Sequence, residues 1–191
     1  MNRALALLLT VLLFAPACRA TEADSLKAGT FSPPHAAPEF TLSGSDGAPL
    51  SLARYRGKVV ALAFGFSHCA DVCPVTLATL AQARKALGPQ GRDLQVVYVT
   101  VDPERDDAAR MKTWLAAFDP TFVGGTGSKQ ALDAVDKQYG VSANKVTTAG
   151  GYSIGHSSSV YLIDRDGRLR AMMPYGHAPE DYAHDVRLLL K

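Results

Sequence analysis

The sequence predicts an α/β domain of three layers around a mixed central sheet, and three observations carry that prediction. Residues 58–66 (KVVALAFGF) and 94–101 (LQVVYVTV) are almost wholly apolar, the pattern of strands buried on both faces. The segments between and after these runs have helical spacing. Near the C-terminus, residues 159–164 and 169–173 flank Arg165-Asp166-Gly167, which reads as a hairpin turn. Strands alternating with helices and then followed by an antiparallel pair give a sheet of mixed direction with helices on its faces.

The elements follow in order. Phe40-Thr41-Leu42 alternates and stops at Ser43-Gly44-Ser45-Asp46-Gly47, a turn signal, and Leu50-Ser51-Leu52 answers it as a second short strand. The first buried strand comes next. Residues 74–87 place Leu77, Leu80, Ala81 and Leu87 on one helical face, and Gly88-Pro89 ends that helix. The second buried strand follows. Asp106 or Asp107 is placed to cap a helix running to about Phe118, because a carboxylate accepts from the free N–H groups of a first turn. Phe122-Val123 is a brief strand. Residues 129–139 form another helix, stopped by Gly140. Residues 141–155 are rich in Gly, Ser, Thr and Asn and read as a loop with room for a short hairpin. Pro179 opens the last helix, with Glu180 and Asp181 in its first turn, where the helix dipole favours acid. A thioredoxin-like three-layer fold with an extra N-terminal hairpin matches this order best.

The N-terminus reads as an address and not as part of the fold. Arg3 gives a basic start, residues 4–14 carry no charge, and small residues lie at Ala15-Pro16-Ala17 and Cys18-Arg19-Ala20. That is the layout of an export signal over residues 1–20. The apolar run is short for a spanning helix, which needs about 20 apolar residues. Cys18 allows a second reading, a lipoprotein signal ending at residue 17, although Ala15 and Pro16 fit that pattern poorly. Residues 21–37, rich in Ala, Ser, Gly and Pro, read as a linker, with 31–35 extended. The folded domain is then expected over 38–191, in an exported, periplasmic protein with the option of an N-terminal membrane anchor.

Composition narrows the function. The 191 residues are 47% hydrophobic and 20% charged, with a formal net charge of +2. That suits one folded domain and argues against wholesale disorder. Residues 1–20 include Arg3 and Arg19, so without them the basic residues equal the 18 acidic ones. Such a balance gives no electrostatic case for nucleic acid. Of the three cysteines, Cys18 belongs to the address, which leaves Cys69 and Cys73 as a pair in the domain.

Cys69-Ala70-Asp71-Val72-Cys73-Pro74 follows directly on the first buried strand and leads into a helix. The C-terminal end of a central strand is where α/β proteins place their sites. A helix N-terminus favours thiolate over thiol, while Asp71 would oppose this if it faced the sulfurs. The spacing is not that of a CxxC redox motif, because three residues intervene. Within a regular helix, residues four apart have Cβ atoms about 5–6 Å apart, whereas a disulfide needs about 3.5–4.5 Å. Pro74 favours a helix that begins near it and leaves Cys69 on the preceding loop. A loop cysteine can close onto its partner or stand back to admit a metal ion. An inert structural disulfide is the plain alternative, although such bridges usually tie distant segments. Structural zinc wants four N or S ligands, and only two thiolates are present.

Residues 65–74 (GFSHCADVCP) resemble the signature of the Sco/SenC family of copper-binding assembly proteins, a CxxxCP motif after a buried strand of a thioredoxin-like fold. Val101-Asp102-Pro103-Glu104-Arg105-Asp106 resembles the family's second motif. Gly155-His156-Ser157, leading to Tyr161-Leu162-Ile163-Asp164, resembles its third, whose histidine completes the metal site. The likeness runs from about Pro38 to the last helix. It departs at Ala70, where the family often has proline, and at Gly155, where it often has an acidic residue. The resemblance implies a copper site made by Cys69, Cys73 and His156. On its own, His156 would read as a surface loop residue. Two thiolates and an imidazole form a soft, three-donor set suited to Cu(I), with Cu(II) possible. His68 adjoins Cys69 and is equally placed to influence it or to face solvent. His35, His177 and His184 read as surface residues, Met172 and Met173 as packing, and Asp102 with Arg105 as an ion pair shaping the loop beside the site.

The resemblance implies a copper metallochaperone, more in keeping with a non-enzymatic carrier than with an enzyme. Its partner would be the copper-site subunit of cytochrome c oxidase, with a periplasmic thiol reductant upstream and another copper chaperone as donor. The competing reading is a thiol–disulfide oxidoreductase that keeps the oxidase subunit's cysteines reduced. It needs Cys69 and Cys73 as redox-active residues but not His156. A peroxiredoxin-like peroxidase is a third idea, prompted by the hairpin ahead of the first buried strand.

Overall fold

The computed structural model describes residues 25–191. The export signal and Cys18 lie outside the described residues. The chain folds into an eight-stranded mixed sheet in the order β1-β10-β9-β4-β5-β6-β2-β3, with a separate two-stranded hairpin, β7-β8. The strands are β1 (Gly29–Ala36), β2 (Leu42–Gly44), β3 (Pro49–Leu50), β4 (Val59–Gly65), β5 (Leu94–Thr100), β6 (Val123–Thr126), β7 (Ala143–Thr148), β8 (Gly151–His156), β9 (Val160–Ile163) and β10 (Arg168–Met173). Four α-helices cover the sheet: α1 (Val72–Ala86), α2 (Ala108–Ala116), α3 (Lys129–Tyr139) and α4 (Pro179–Leu189).

The two apolar runs became the central strands because a strand covered on both faces must be apolar on both. Every residue of β4 and β5 is buried. They pair in parallel, Val59 opposite Leu94 through Gly65 opposite Thr100. Alternate side chains feed two cores. Val59, Ala61, Ala63, Val96 and Tyr98 meet Leu77 and Leu80 of α1, Met111 and Leu115 of α2, and Val186 of α4. Val60, Leu62, Phe64, Val97 and Val99 meet Leu132, Val135 and Tyr139 of α3, with Phe40 and Leu50 from the N-terminal hairpin. The helix ends follow local chemistry. Asp107 is the residue that caps α2, accepting from Arg110 N at 2.7 Å. Gly140 ends α3 in the left-handed region at φ 65°. Met173 is buried and Met172 packs against the second core, so both act in packing.

The structure corrects the sequence reading at residues 29–36. These residues do not form a linker but an edge strand antiparallel to β10, with Gly29 opposite Met172 and Ala36 opposite Arg168. Pro33 and Pro34 have no N–H to give a ladder, and the register shifts between Thr30 and His35. A proline-bearing edge also resists pairing with another chain. Just before it, the backbone N–H groups of Lys27 and Ala28 donate to the buried carboxylate of Asp185 at 2.7 and 2.9 Å. The ordered domain therefore starts well ahead of Pro38.

Among the described residues, no helix is long and apolar enough to cross a membrane.

Candidate metal centre

The centre forms where β4 ends. Phe66 and Ser67 remain buried, and Cys69 N donates to the Phe66 carbonyl at 3.3 Å, which turns the chain. Helix α1 starts at Val72, so Cys73 and Pro74 lie in its first turn, where proline's missing N–H costs no helical bond. Cys69 stays on the loop and is half-buried, whereas Cys73 is 3% exposed. The two cysteines are not bonded to each other. His156 arrives from the far end of the sequence as the last residue of β8. The Cys69 and Cys73 sulfurs and one His156 ring nitrogen all lie within 4.8 Å of one another, and the described residues hold one such cluster.

Each donor is held by its surroundings. His156 Nδ1 lies 2.7 Å from the Ser157 carbonyl, which can only accept, so Nδ1 carries the proton. Nε2 is then left with its lone pair toward the Cys73 sulfur, 3.3 Å away. This is how proteins orient a metal-binding histidine, through a bond from its other nitrogen. The Phe66 ring meets the imidazole edge-on at 5.8 Å between centroids. Cys73 comes this close to the sheet because position 65 has no side chain. A Cβ on Gly65 would lie 2.8 Å from the Cys73 sulfur and 1.9 Å from the Tyr98 hydroxyl.

The loop from β5 to α2 grips the hairpin that carries His156. Arg105 pairs with Asp102, as the sequence indicated, and its guanidinium lies 3.8 Å from the centre of the Tyr152 ring and donates to the Tyr152 carbonyl at 3.1 Å. Tyr152 returns a hydroxyl bond to Asp102 at 2.9 Å. Lys145 of β7 bonds Glu104 at 2.8 Å. The segment read as a loop with room for a short hairpin is a paired hairpin, from Ala143 opposite His156 to Thr148 opposite Gly151.

Beneath the cysteine loop sits Asp106, fully buried. Its carboxylate accepts from Ser67 N at 2.9 Å, from the Ser67 hydroxyl and from the Thr100 hydroxyl at 2.7 Å. Arg110 Nε adds a bond to Ser67 Oγ at 3.0 Å. His68 is partly exposed and lies 3.9 Å from Asp106, so it faces this acid and solvent at once. The sequence offered Asp106 as a helix cap and as the end of the second family motif. Its place beside Asp107 hid which of the two acids turns inward. His35 stacks edge-on against Phe31, and His177 contacts Asp181, both away from the cluster.

A cavity of about 180 Å³ opens between the hairpin and α3, lined by Asp102, Glu104, Lys129, Asp133, Asp136 and Ile154 among others. Asp136 is 8% exposed, and its Oδ1 has no hydrogen-bond partner among the described residues. Burial, with the neighbouring charge of Asp133, raises its carboxyl to about 6. In the unfolded chain it titrates near 4, so between about pH 4 and 6 the folded state holds the extra proton. Stability attributable to this group therefore falls as pH rises through that window. Asp136→Asn is expected to stabilise the domain by about 1–2 kcal/mol at pH 7.5 and not at pH 4, a full two-unit shift being softened by the open cavity. Thermal unfolding at the two pH values checks this, and an equal gain at both would refute it.

Fold and cluster together define a class: a thioredoxin-like domain in which two thiols of a CxxxC segment and a distant imidazole converge on one point. The chain belongs to the SCO1/SenC family, whose pattern its residues 29–191 match. It is 34% identical over 153 residues to the mitochondrial protein SCO2 homolog of Mus musculus, a match covering 78% of this chain and 60% of that protein. The chain thus spans about three fifths of that relative's length. In structure it is similar to Bradyrhizobium japonicum ScoI with copper bound, at 34% identity and a TM-score of 0.74, over 81% of this chain and 99% of the other. It is also similar to yeast Sco1 with copper bound, at 28% identity and a TM-score of 0.71, over 81% and 87% of the two chains.

Proposed function

We propose that this protein is an exported copper chaperone that holds copper through Cys69, Cys73 and His156 and delivers it to the copper-site subunit of cytochrome c oxidase. The observation that carries the reading is the convergence of two sulfurs and an imidazole nitrogen within 4.8 Å, with the imidazole already in the tautomer that leaves Nε2 free. Soft sulfur donors favour copper over hard cations such as Mg²⁺ and Ca²⁺. Copper is bound in two of the similar structures named above. Copper is cargo here, and the chain's part is to present it. Cys73 anchors the site from the buried side, Cys69 lies on the outer loop, and His156 closes it from the hairpin. An incoming thiolate from the acceptor can approach on the side of Cys69.

The export signal argues for a periplasmic setting, which is oxidising. A Cys69–Cys73 disulfide and a metal compete for the same sulfurs. The carrier therefore needs a thiol reductant upstream, and a second copper chaperone as its supplier. The oxidase as partner follows from the family resemblance.

The two sulfurs' proximity also favours a second reading, a thiol–disulfide oxidoreductase. In it Cys69 and Cys73 close a disulfide while two electrons and two protons pass to the cysteines of the oxidase copper site. A strain lacking the gene separates the two when complemented with His156→Ala. The chaperone reading expects the oxidase copper content to fall below that of the parent strain and to recover with added copper. Full recovery by His156→Ala without added copper would overturn it in favour of the reductase.

A further inference from the structure

Tyr98 stands in the middle of β5, opposite Ala63 of β4. It is 1% exposed, and its ring packs edge-on against Trp114 at 5.4 Å, so the side chain has no route to solvent. Its hydroxyl ends beneath the metal centre. Tyr98 Oη and Cys73 Sγ both lie within 2.8 Å of the single point that a Cβ on Gly65 would occupy. The hydroxyl finds no oxygen or nitrogen partner among the described residues, and the Cys73 side chain is the group that it meets. A phenylalanine would fill the same space without a polar atom to bury, so the hydroxyl calls for a reason.

Thr76 and Ser158 line the same small cavity as Tyr98, Cys73 and His156, and the Thr76 hydroxyl is turned to the Val72 carbonyl at 3.0 Å. The Gly65 carbonyl takes the N–H of Val101 at 2.9 Å. The carboxylate of Asp106 is occupied by Ser67 and Thr100. The first turn of α1 offers N–H groups, which are donors. What remains is the sulfur of Cys73. A neutral thiol is a weak acceptor, but a thiolate is a strong one, and its bonds are charge-assisted.

We infer that the Tyr98 hydroxyl is a positioning group of the metal centre, donating a hydrogen bond to the Cys73 sulfur when that sulfur is a copper-bound thiolate. The inference rests on the copper reading above. The contact with the Cys73 side chain is weak while the sulfur is a thiol, a poor acceptor, and becomes a charge-assisted bond when the sulfur is a copper-bound thiolate. It fixes the direction of the Cys73 lone pairs from the buried side of the site. By drawing electron density from the sulfur it also tunes the metal, as hydrogen bonds to cysteine sulfur do at other copper sites.

Tyr98→Phe deletes this one atom. The parent and the variant are loaded with Cu(II) and their thiolate-to-copper absorption is compared, and each is titrated with Cu(I) against a competing chelator. The band is expected to move to longer wavelength in the variant, because the sulfur becomes the better electron donor. Cu(I) affinity is expected to fall about tenfold, the weight of one hydrogen bond to a charged group. The metal-free variant is expected to unfold at the same temperature as the parent or higher. A band and an affinity equal to those of the parent would overturn the inference. So would a lowered unfolding temperature with an unmoved band, which marks a packing role alone. A parent protein that binds no copper would instead remove the copper reading itself.

Discussion

Replacing Cys73 by alanine is expected to weaken Cu(I) binding by more than about 100-fold, a loss that even partners outside a metal's direct ligands can reach. The sulfur is the one donor in contact with all the parts of the site. It lies 3.3 Å from His156 Nε2, against Gly65, and in the first turn of α1. Cys69→Ala should come close behind, while His156→Ala should cost Cu(I) least, because two thiolates alone make an adequate soft pair. For Cu(II) the order changes. The imidazole matters more to the harder ion, so His156→Ala should abolish the thiolate-to-copper absorption along with the cysteine variants. Competition titration for Cu(I) and optical spectra for Cu(II) read the two series. Equal losses of Cu(I) binding in all three variants would contradict this division of labour. The alanine variants should keep the fold, since Cys73 fills only a small volume at the edge of the core.

Asp106→Ala is expected to be the most damaging change outside the three candidate ligands, lowering stability by about 3–5 kcal/mol. The carboxylate is fully buried and collects three donors, the Ser67 N–H and the hydroxyls of Ser67 and Thr100. Alanine would leave all three without a partner, and each stranded buried donor costs about 1–3 kcal/mol. In a domain of this size the unfolding temperature should drop by roughly 10 °C. Asp106→Asn, which keeps one acceptor oxygen, should fall in between. The effect reaches the site, because Ser67 N is the last fixed point before the cysteine loop. A fall of under 2 °C for the alanine variant would show that water satisfies these donors and that the network is not what holds the loop.

The strands and helices that bury side chains were readable because their apolar pattern has a period. Residues 129–139 were read as a helix to the residue, since Gly140 marks the end where a left-handed conformation is needed. Strand β1 was not readable. Its Gly, Ser and Pro residues carry no strand pattern, and what holds them extended is the waiting edge of β10, a contact between the two ends of the chain. The hairpin β7-β8 was left open for a similar reason. The side chains of β7 are all exposed, and β8 turns only Tyr152, Ile154 and His156 to a half-buried side, between Gly and Ser residues that mask the alternation. At the site, Cys69 and Cys73 announce themselves by spacing, whereas His156 stood out only through the family resemblance. Tyr98 gave no signal, because a tyrosine inside an apolar strand looks like core. Only the fold shows where its hydroxyl ends.

The hairpin that bears His156 is a two-stranded sheet of its own, joined to the domain by Arg105, Tyr152, the Lys145–Glu104 pair, Ile154 against the core and the Phe66–His156 ring contact. The cysteines, by contrast, sit on the strand and helix that share the main core. The donors are thus mounted on parts of unequal local stability. An opening that detaches the arm but leaves the body folded would strip one donor and keep two. On the carrier reading proposed above, hand-over would be timed by the low cost of lifting a peripheral lever and not by the cost of unfolding, so a tight hold and a fast release can coexist in one molecule.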